Sequence, residues 1–142
     1  TGMEDLFLEN LDFWYTFINL GHTTCGETGF ASHDRSDCHA WSAHPAYYIL
    51  SLVCGINPGD IGFNTVKITP HFGELQEVKA DMPHPKGRIS VGYKNEKGKW
   101  ETTITLPAGM KGTFQDGSFS YHLETGRNVF EYQTSMKNIH NN

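Results

Sequence analysis

Gly87–Leu106 reads GRISVGYKNEKGKWETTITL, and this stretch decides the fold class. Ile89, Val91 and Tyr93 alternate on one face of a segment over Gly87–Lys94, the period of a half-buried strand. Asn95-Glu96-Lys97-Gly98 reads as a hairpin loop. Trp100, Thr102, Ile104 and Leu106 then share a face of the next strand. Further strands are expected on both sides. Val66–Thr69 is a short strand stopped by Pro70, and Leu75–Asp81 alternates imperfectly through Leu75, Val78 and Ala80. Met82-Pro83-His84-Pro85 reads as a rigid connector. Pro107-Ala108-Gly109 turns the chain into Lys111–Gln115, Ser118–Leu123 and Asn128–Tyr132, separated by Asp116-Gly117 and Glu124-Thr125-Gly126. Strands at this spacing with turn residues between them predict a β-sandwich. The tail Lys137–Asn142 is expected to fray.

Upstream of Gly55 the period is helical. Leu6, Phe7, Leu11, Trp14, Phe17, Ile18 and Leu20 recur at three- and four-residue steps over Met3–Leu20, which predicts one amphipathic helix ending at Gly21. A second helix is expected from an N-cap at Ser42, with Pro45 in its first turn, to Gly55. It is apolar nearly all round, as a buried helix is. Asn57-Pro58-Gly59 reads as a turn. The fold class is therefore mostly β, an antiparallel sandwich preceded by two helices. The chain divides near Gly55–Phe63, with segments 1–62 and 63–142. Two helices with so much apolar surface do not make a domain alone. They are expected to cover something larger, or to drive self-association.

With 142 residues, 37% hydrophobic and 13% aromatic, one globular domain is the starting expectation. The formal net charge of −5 offers no basic footprint for nucleic acid and no polybasic patch for a membrane surface. No apolar run has the length of a membrane span, and no basic n-region marks a signal peptide. The compartment, cytoplasmic or exported, is not readable. Three cysteines without framework spacing are expected to be reduced or buried.

Between the helices lies Gly21–Pro45, GHTTCGETGFASHDRSDCHAWSAHP, with four of the eight histidines. Glu27 sits in a Gly-bracketed turn, where backbone geometry can aim a carboxylate; a solvated loop acid is the plain alternative. His39 and Trp41 flank Ala40, a hydrogen-bonding group beside an apolar plate of the kind a sugar ring needs, or else a satisfied histidine and a core tryptophan. His22-x-x-Cys25 with Cys38-His39 resembles a split zinc site but lacks paired spacing in both halves, so no metal is expected. Cys25 or Cys38 with His39 as a nucleophile pair lacks an orienting acid at a diagnostic spacing. Asp34-Arg35-Ser36-Asp37 is a turn with a local ion pair in its plain reading.

Arg35-Ser36-Asp37-Cys38-His39-Ala40-Trp41-Ser42-Ala43-His44-Pro45 resembles a motif near the end of the catalytic domain of bacterial α-L-rhamnosidases. Phe13-Trp14 and Gly21-His22-Thr23-Thr24-Cys25-Gly26-Glu27 resemble the family's upstream segment. Gly55-Ile56-Asn57-Pro58, Gly62-Phe63, Ile68-x-Pro70, Pro85-x-Gly87-x-Ile89 and Leu106-Pro107-Ala108-Gly109 follow in the family's order. The resemblance implies the last helices of an (α/α)6 barrel followed by the C-terminal β-sandwich, with most of the barrel absent from these residues. It implies hydrolysis of terminal α-L-rhamnosides with inversion and without a cofactor. Glu27 matches the general base and His39 a residue that contacts sugar hydroxyls. Trp41 is carried with them in the substrate-binding set, although it matches structural support better than a platform. The segment with the general acid has no match here, so the chain alone is expected to be inactive. Cys25-Gly26 departs from the bulkier residues that precede the glutamate in the family, which alters the local pocket shape. The competing reading is a non-catalytic β-sandwich that binds carbohydrate or docks a domain, for which an exposed aromatic row including Trp100 and Tyr93 would speak.

Overall fold

The Gly87–Leu106 stretch forms a hairpin in the computed structural model, which describes residues 3–28 and 36–133. Asp34, Arg35 and the tail Lys137–Asn142 lie outside the described residues. Eight strands follow in order: β1 Ile56–Pro58, β2 Thr65–Ile68, β3 Glu77–His84, β4 Gly87–Glu96, β5 Lys99–Leu106, β6 Lys111–Asp116, β7 Phe119–Leu123 and β8 Gly126–Gln133. The β4–β5 loop is tighter than expected, because Asn95 pairs with Trp100 and Glu96 with Lys99. Only Lys97 and Gly98 remain in the turn, at φ +55° and +87°. Two positive φ values are what a type I′ turn demands, and its twist matches that of the strands. The Asn95 side chain holds the turn by accepting the Gly98 N–H at 2.8 Å.

The strands make two four-stranded sheets, ordered β1-β2-β6-β7 and β3-β4-β5-β8. Their inward faces meet in one core. Ile89, Val91, Tyr93, Trp100, Ile104, Phe130 and Tyr132 come from the second sheet, and Val66, Ile68, Phe114 and Leu123 from the first. Phe114 stands at the junction, with ring centroids 5.0 Å from Phe130 and 5.3 Å from Tyr132. Burying each such side chain stabilises the fold by about 1.5–3 kcal/mol. Polar groups inside are mostly satisfied. The Tyr93 hydroxyl donates to the Cys54 carbonyl at 3.0 Å, and the Tyr132 hydroxyl to Asp116 Oδ2 at 2.8 Å. Asn128 braces the β7–β8 turn, donating to the Glu124 carbonyl and accepting the Glu124 N–H.

Several expectations are corrected. The sandwich is not wholly antiparallel, since β2 and β6 pair in parallel. The chain leaves β2 for the second sheet and re-enters the first at β6 in the same direction. Met82–His84 is no connector, because β3 runs through it to His84. Pro83 is tolerated there since β3 lies at a sheet edge, where a missing N–H need not break a ladder. Asn57-Pro58 is not only a turn but part of β1, paired to β2.

The N-terminal region is a second compact unit, Thr1–Val53, against Cys54–Asn142 for the β unit. The division thus falls before Gly55, because β1 already belongs to the first sheet. The single expected helix is two, α1 Met3–Glu9 and α2 Asp12–Asn19. Asn10 breaks it. Its side-chain amide donates to the Leu6 carbonyl at 2.7 Å, and the next backbone bonds shorten to three-residue spacing. Such local competition is why Asn is poor in helix interiors. The later helix is also segmented into a 3-10 turn Ala40–Ala43, α3 Pro45–Tyr48 and a π-helical turn Ile49–Val53. Ser42 is not its N-cap. It lies buried inside the 3-10 turn, and His44 stands at the α3 N-cap position.

Candidate functional site

Helix α2 ends in a backbone motif that aims the following loop. The His22 N–H reaches back to the Phe17 carbonyl and the Gly21 N–H to Ile18, both at 2.9 Å. Gly21 has φ +75°. This is a Schellman cap, which reverses the chain sharply. The chain then pairs with its own later segment. The His39 N–H donates to the Cys25 carbonyl at 2.8 Å, and the Glu27 N–H to the Ser36 carbonyl at 3.0 Å. The Thr24 hydroxyl donates to the Asp37 carbonyl beside them.

These bonds tie Thr24–Glu27 to Ser36–His39 as two loop segments, with no regular strand in either. Cys25, Glu27, Ser36 and His39 are half-buried, while Asp37 and Cys38 are exposed. Glu27 and His39 thus belong to two segments that the same pair of backbone bonds ties together. Thr24 and Ser36 went unassigned from sequence alone. The Thr-Thr pair before Glu27 was the available signal, but nothing local shows that it anchors a segment thirteen residues away.

The 3-10 turn that follows is fixed at both ends. The Ser42 N–H donates to the His39 carbonyl at 3.0 Å, and the Trp14 indole N–H to the Ser42 carbonyl at 2.7 Å. His44 Nδ1 lies 2.9 Å from the Trp41 carbonyl, and the His44 ring meets Trp14 edge-on at 5.1 Å. Trp41 itself is 83% exposed, so within this chain it supports no core. Beside the turn is an apolar groove of about 330 Å³, lined among others by Trp14, Ile18, Cys25, Pro45 and Ile49. Ile18, Tyr15 and Tyr47 are exposed on the same unit.

Other candidates come apart. Cys25, Cys38 and Cys54 are all free thiols, and burial pushes the Cys54 thiol up to about 11. Among the described residues no three His, Cys, Asp or Glu side chains cluster as metal ligands. Trp100 and Tyr93 form no exposed aromatic row. They are 4% and 1% exposed, because their alternating positions face the core. Among the described residues no helix is long and apolar enough to cross a membrane.

Residues 55–115 match the family model of the bacterial alpha-L-rhamnosidase C-terminal domain. The β unit is a domain of that family. Three solved alpha-L-rhamnosidases share its fold. The native enzyme from Aspergillus terreus matches with a TM-score of 0.72 at 16% identity, over 83% of this chain and 15% of that one. The Streptomyces avermitilis enzyme, crystallised with L-rhamnose, matches with a TM-score of 0.70 at 19% identity, over 84% of this chain and 15% of that one. The GH78-family rhamnosidase of Bacillus sp. GL1 matches with a TM-score of 0.69 at 28% identity, over 78% of this chain and 13% of that one. The chain thus spans only a small part of the length of the rhamnosidases it matches. No curated protein matches it in sequence.

Proposed function

We propose that this chain is the C-terminal part of an inverting glycoside hydrolase of bacterial type that removes terminal α-L-rhamnose from glycosides. In this reading the helical unit and its loop, up to Val53, close an (α/α)6 catalytic barrel, and the β-sandwich follows. Glu27 is the general base that deprotonates the attacking water, His39 hydrogen-bonds sugar hydroxyls, and Trp41 lies at the edge of the same substrate site. The observation that supports the reading is the pair of backbone bonds that ties the segments of the half-buried Glu27 and His39 together. A half-buried carboxylate beside a hydrogen-bonding ring is suited to holding a water against a sugar carbon.

Inversion needs a second carboxyl as general acid, roughly 6.5–9.5 Å from the first, with room for the water between them. The family's acid segment has no match in these residues, so the isolated chain is inactive. The apolar groove and the exposed Ile18 and Tyr15 dock the rest of the barrel, or a second copy when the chain is alone.

The test is a chimera in which this chain replaces the corresponding segment of the Bacillus sp. GL1 enzyme. The chimera should hydrolyse an aryl α-L-rhamnoside, and Glu27→Gln should lower kcat by roughly 10²–10⁴-fold with little change in KM. A folded Glu27→Gln chimera as active as its parent would refute the assignment of the base. Brisk hydrolysis by the isolated 142-residue chain would refute its inactivity.

A further inference from the structure

The outer face of the second sheet carries an open depression of about 520 Å³, lined by residues given no role above. Two adjacent rungs across β3, β4 and β5 build it. One is Asp81–Ser90–Thr105 and the other Lys79–Gly92–Thr103. Gly92 makes the notch between them. It is a mid-strand glycine without a positive φ, and a Cβ built on it would meet nothing closer than 3.9 Å, at Lys79 Cγ and the Thr103 carbonyl. Neither backbone conformation nor packing among the described residues calls for glycine there. A glycine inside a strand weakens it and often marks a place where a ligand approaches closely.

The lining chemistry says what kind of ligand fits. Asp81 is oriented by the Ser90 hydroxyl at 2.5 Å and by Arg88 Nη1 at 3.3 Å. Its two oxygens retain acceptor capacity beyond these two bonds. Lys79 is paired with Glu77, which leaves further ammonium donors. The hydroxyls of Thr103 and Thr105 are half-buried and make no hydrogen bond among the described residues. The cavity therefore offers donors and acceptors together. The Asp81 carboxylate disfavours an anion, the Lys79 ammonium disfavours a cation, and no aromatic or long apolar side chain lines it.

We infer that the Gly92 notch is a binding site for a small neutral polyhydroxylated ligand, a monosaccharide or one terminal sugar unit, held by Asp81, Lys79, Thr103 and Thr105. The site does not depend on the reading of Glu27. The experiment is an amide NMR titration of the 142-residue chain with D-glucose and with L-rhamnose. Saturable shifts are expected at Lys79, Ser90, Gly92 and Thr103 with at least one of the two sugars. Gly92→Leu fills the notch and should weaken binding at least tenfold. Thr103→Val keeps the shape but removes a hydroxyl, and should weaken it severalfold with the remaining β-unit resonances in place. Shifts at Glu27 and His39 report the other site and are read separately. Three results would overturn the inference: no saturable shift at the notch with either sugar, equal affinity in a folded Gly92→Leu or Thr103→Val chain, or the same shifts produced by inorganic phosphate.

Discussion

Replacing glycine by alanine at three strand and turn positions should produce three different outcomes. Gly112 lies in β6 opposite Val66 of β2. A Cβ there would stand 2.1 Å from the Val66 carbonyl oxygen and 2.5 Å from Val66 Cγ1, where real contacts of a Cβ stay above 3.0 Å. The obstacle is mostly backbone, so the strands themselves must part by on the order of 1 Å from their ~4.8 Å spacing. A hydrogen bond lengthened by that much is lost. Strand β2 has only four residues paired to β6, and this pairing alone joins β1-β2 to β6-β7. Losing two to four such bonds at about 1 kcal/mol each gives a destabilisation of about 2–4 kcal/mol for Gly112→Ala. For a domain of this size that is roughly 8–30 °C in Tm. Gly117, in the β6–β7 turn, has open space around its Cβ but φ +56°. Gly117→Ala should cost only the left-handed strain, about 1–2 kcal/mol. Gly92→Ala has neither problem and should stabilise the sandwich by about 0.5–1 kcal/mol through unfolded-state entropy. Urea unfolding followed by tryptophan fluorescence of Trp100 ranks the three variants. A Gly112→Ala protein as stable as the parent would refute the parallel β2–β6 contact. A Gly92→Ala protein destabilised by more than about 1 kcal/mol would refute the claim that its glycine is structurally dispensable.

Two further outcomes concern polar groups of the β unit. His84 Nδ1 accepts the Lys86 N–H at 3.1 Å, which fixes the proton on Nε2, and Nε2 donates to the Phe63 carbonyl at 2.9 Å. Phe63 is held at φ +56° by these contacts and by its ring against His84, so His84→Ala should cost about 1–3 kcal/mol in denaturant unfolding; an unchanged midpoint would contradict the bracing role. Burial, then the neighbouring Asp116 carboxylate, holds the Tyr132 phenol well above its usual range, and burial above all does the same for Tyr93. Both raise the folded-state pKa over the unfolded one, so their contribution is complete below about pH 10 and is lost as pH rises beyond it. The stability of the β unit should fall above about pH 10 by up to ~1.4 kcal/mol per pH unit for each tyrosine, and Tyr132→Phe should flatten that slope. A Tm independent of pH through this window would show that the two hydroxyls are hydrated.

Legibility in the sequence followed burial. Strands β4 and β5 could be read because one face of each is core, and Ile89, Val91, Tyr93, Trp100, Ile104 and Leu106 all lie inside. The face assignment of Trp100 and Tyr93 also decided against an aromatic binding row. β1 could not be read, since three residues that include Pro58 carry no period and the strand exists only through its pairing with β2. The parallel β2–β6 pairing was equally hidden, because nothing local in Thr65–Ile68 or Lys111–Asp116 specifies the partner's direction. In the helical front, period alone carried the helix through Asn10, where side-chain competition ends it.

The candidate site was harder to read, because what holds it is pairing between loop segments rather than a period. Glu27 and His39 could be nominated one by one from their chemistry, but no repeat of apolar residues links the two segments that carry them. The connection is made by the His39 N–H on the Cys25 carbonyl, the Glu27 N–H on the Ser36 carbonyl and the Thr24 hydroxyl on the Asp37 carbonyl. Backbone groups carry two of these bonds, and every non-proline residue has the same backbone groups, so the sequence gives no sign of which will pair. That makes Thr24, whose side chain alone among these contacts is specified by residue type, as necessary to the proposed chemistry as the two side chains nominated for it.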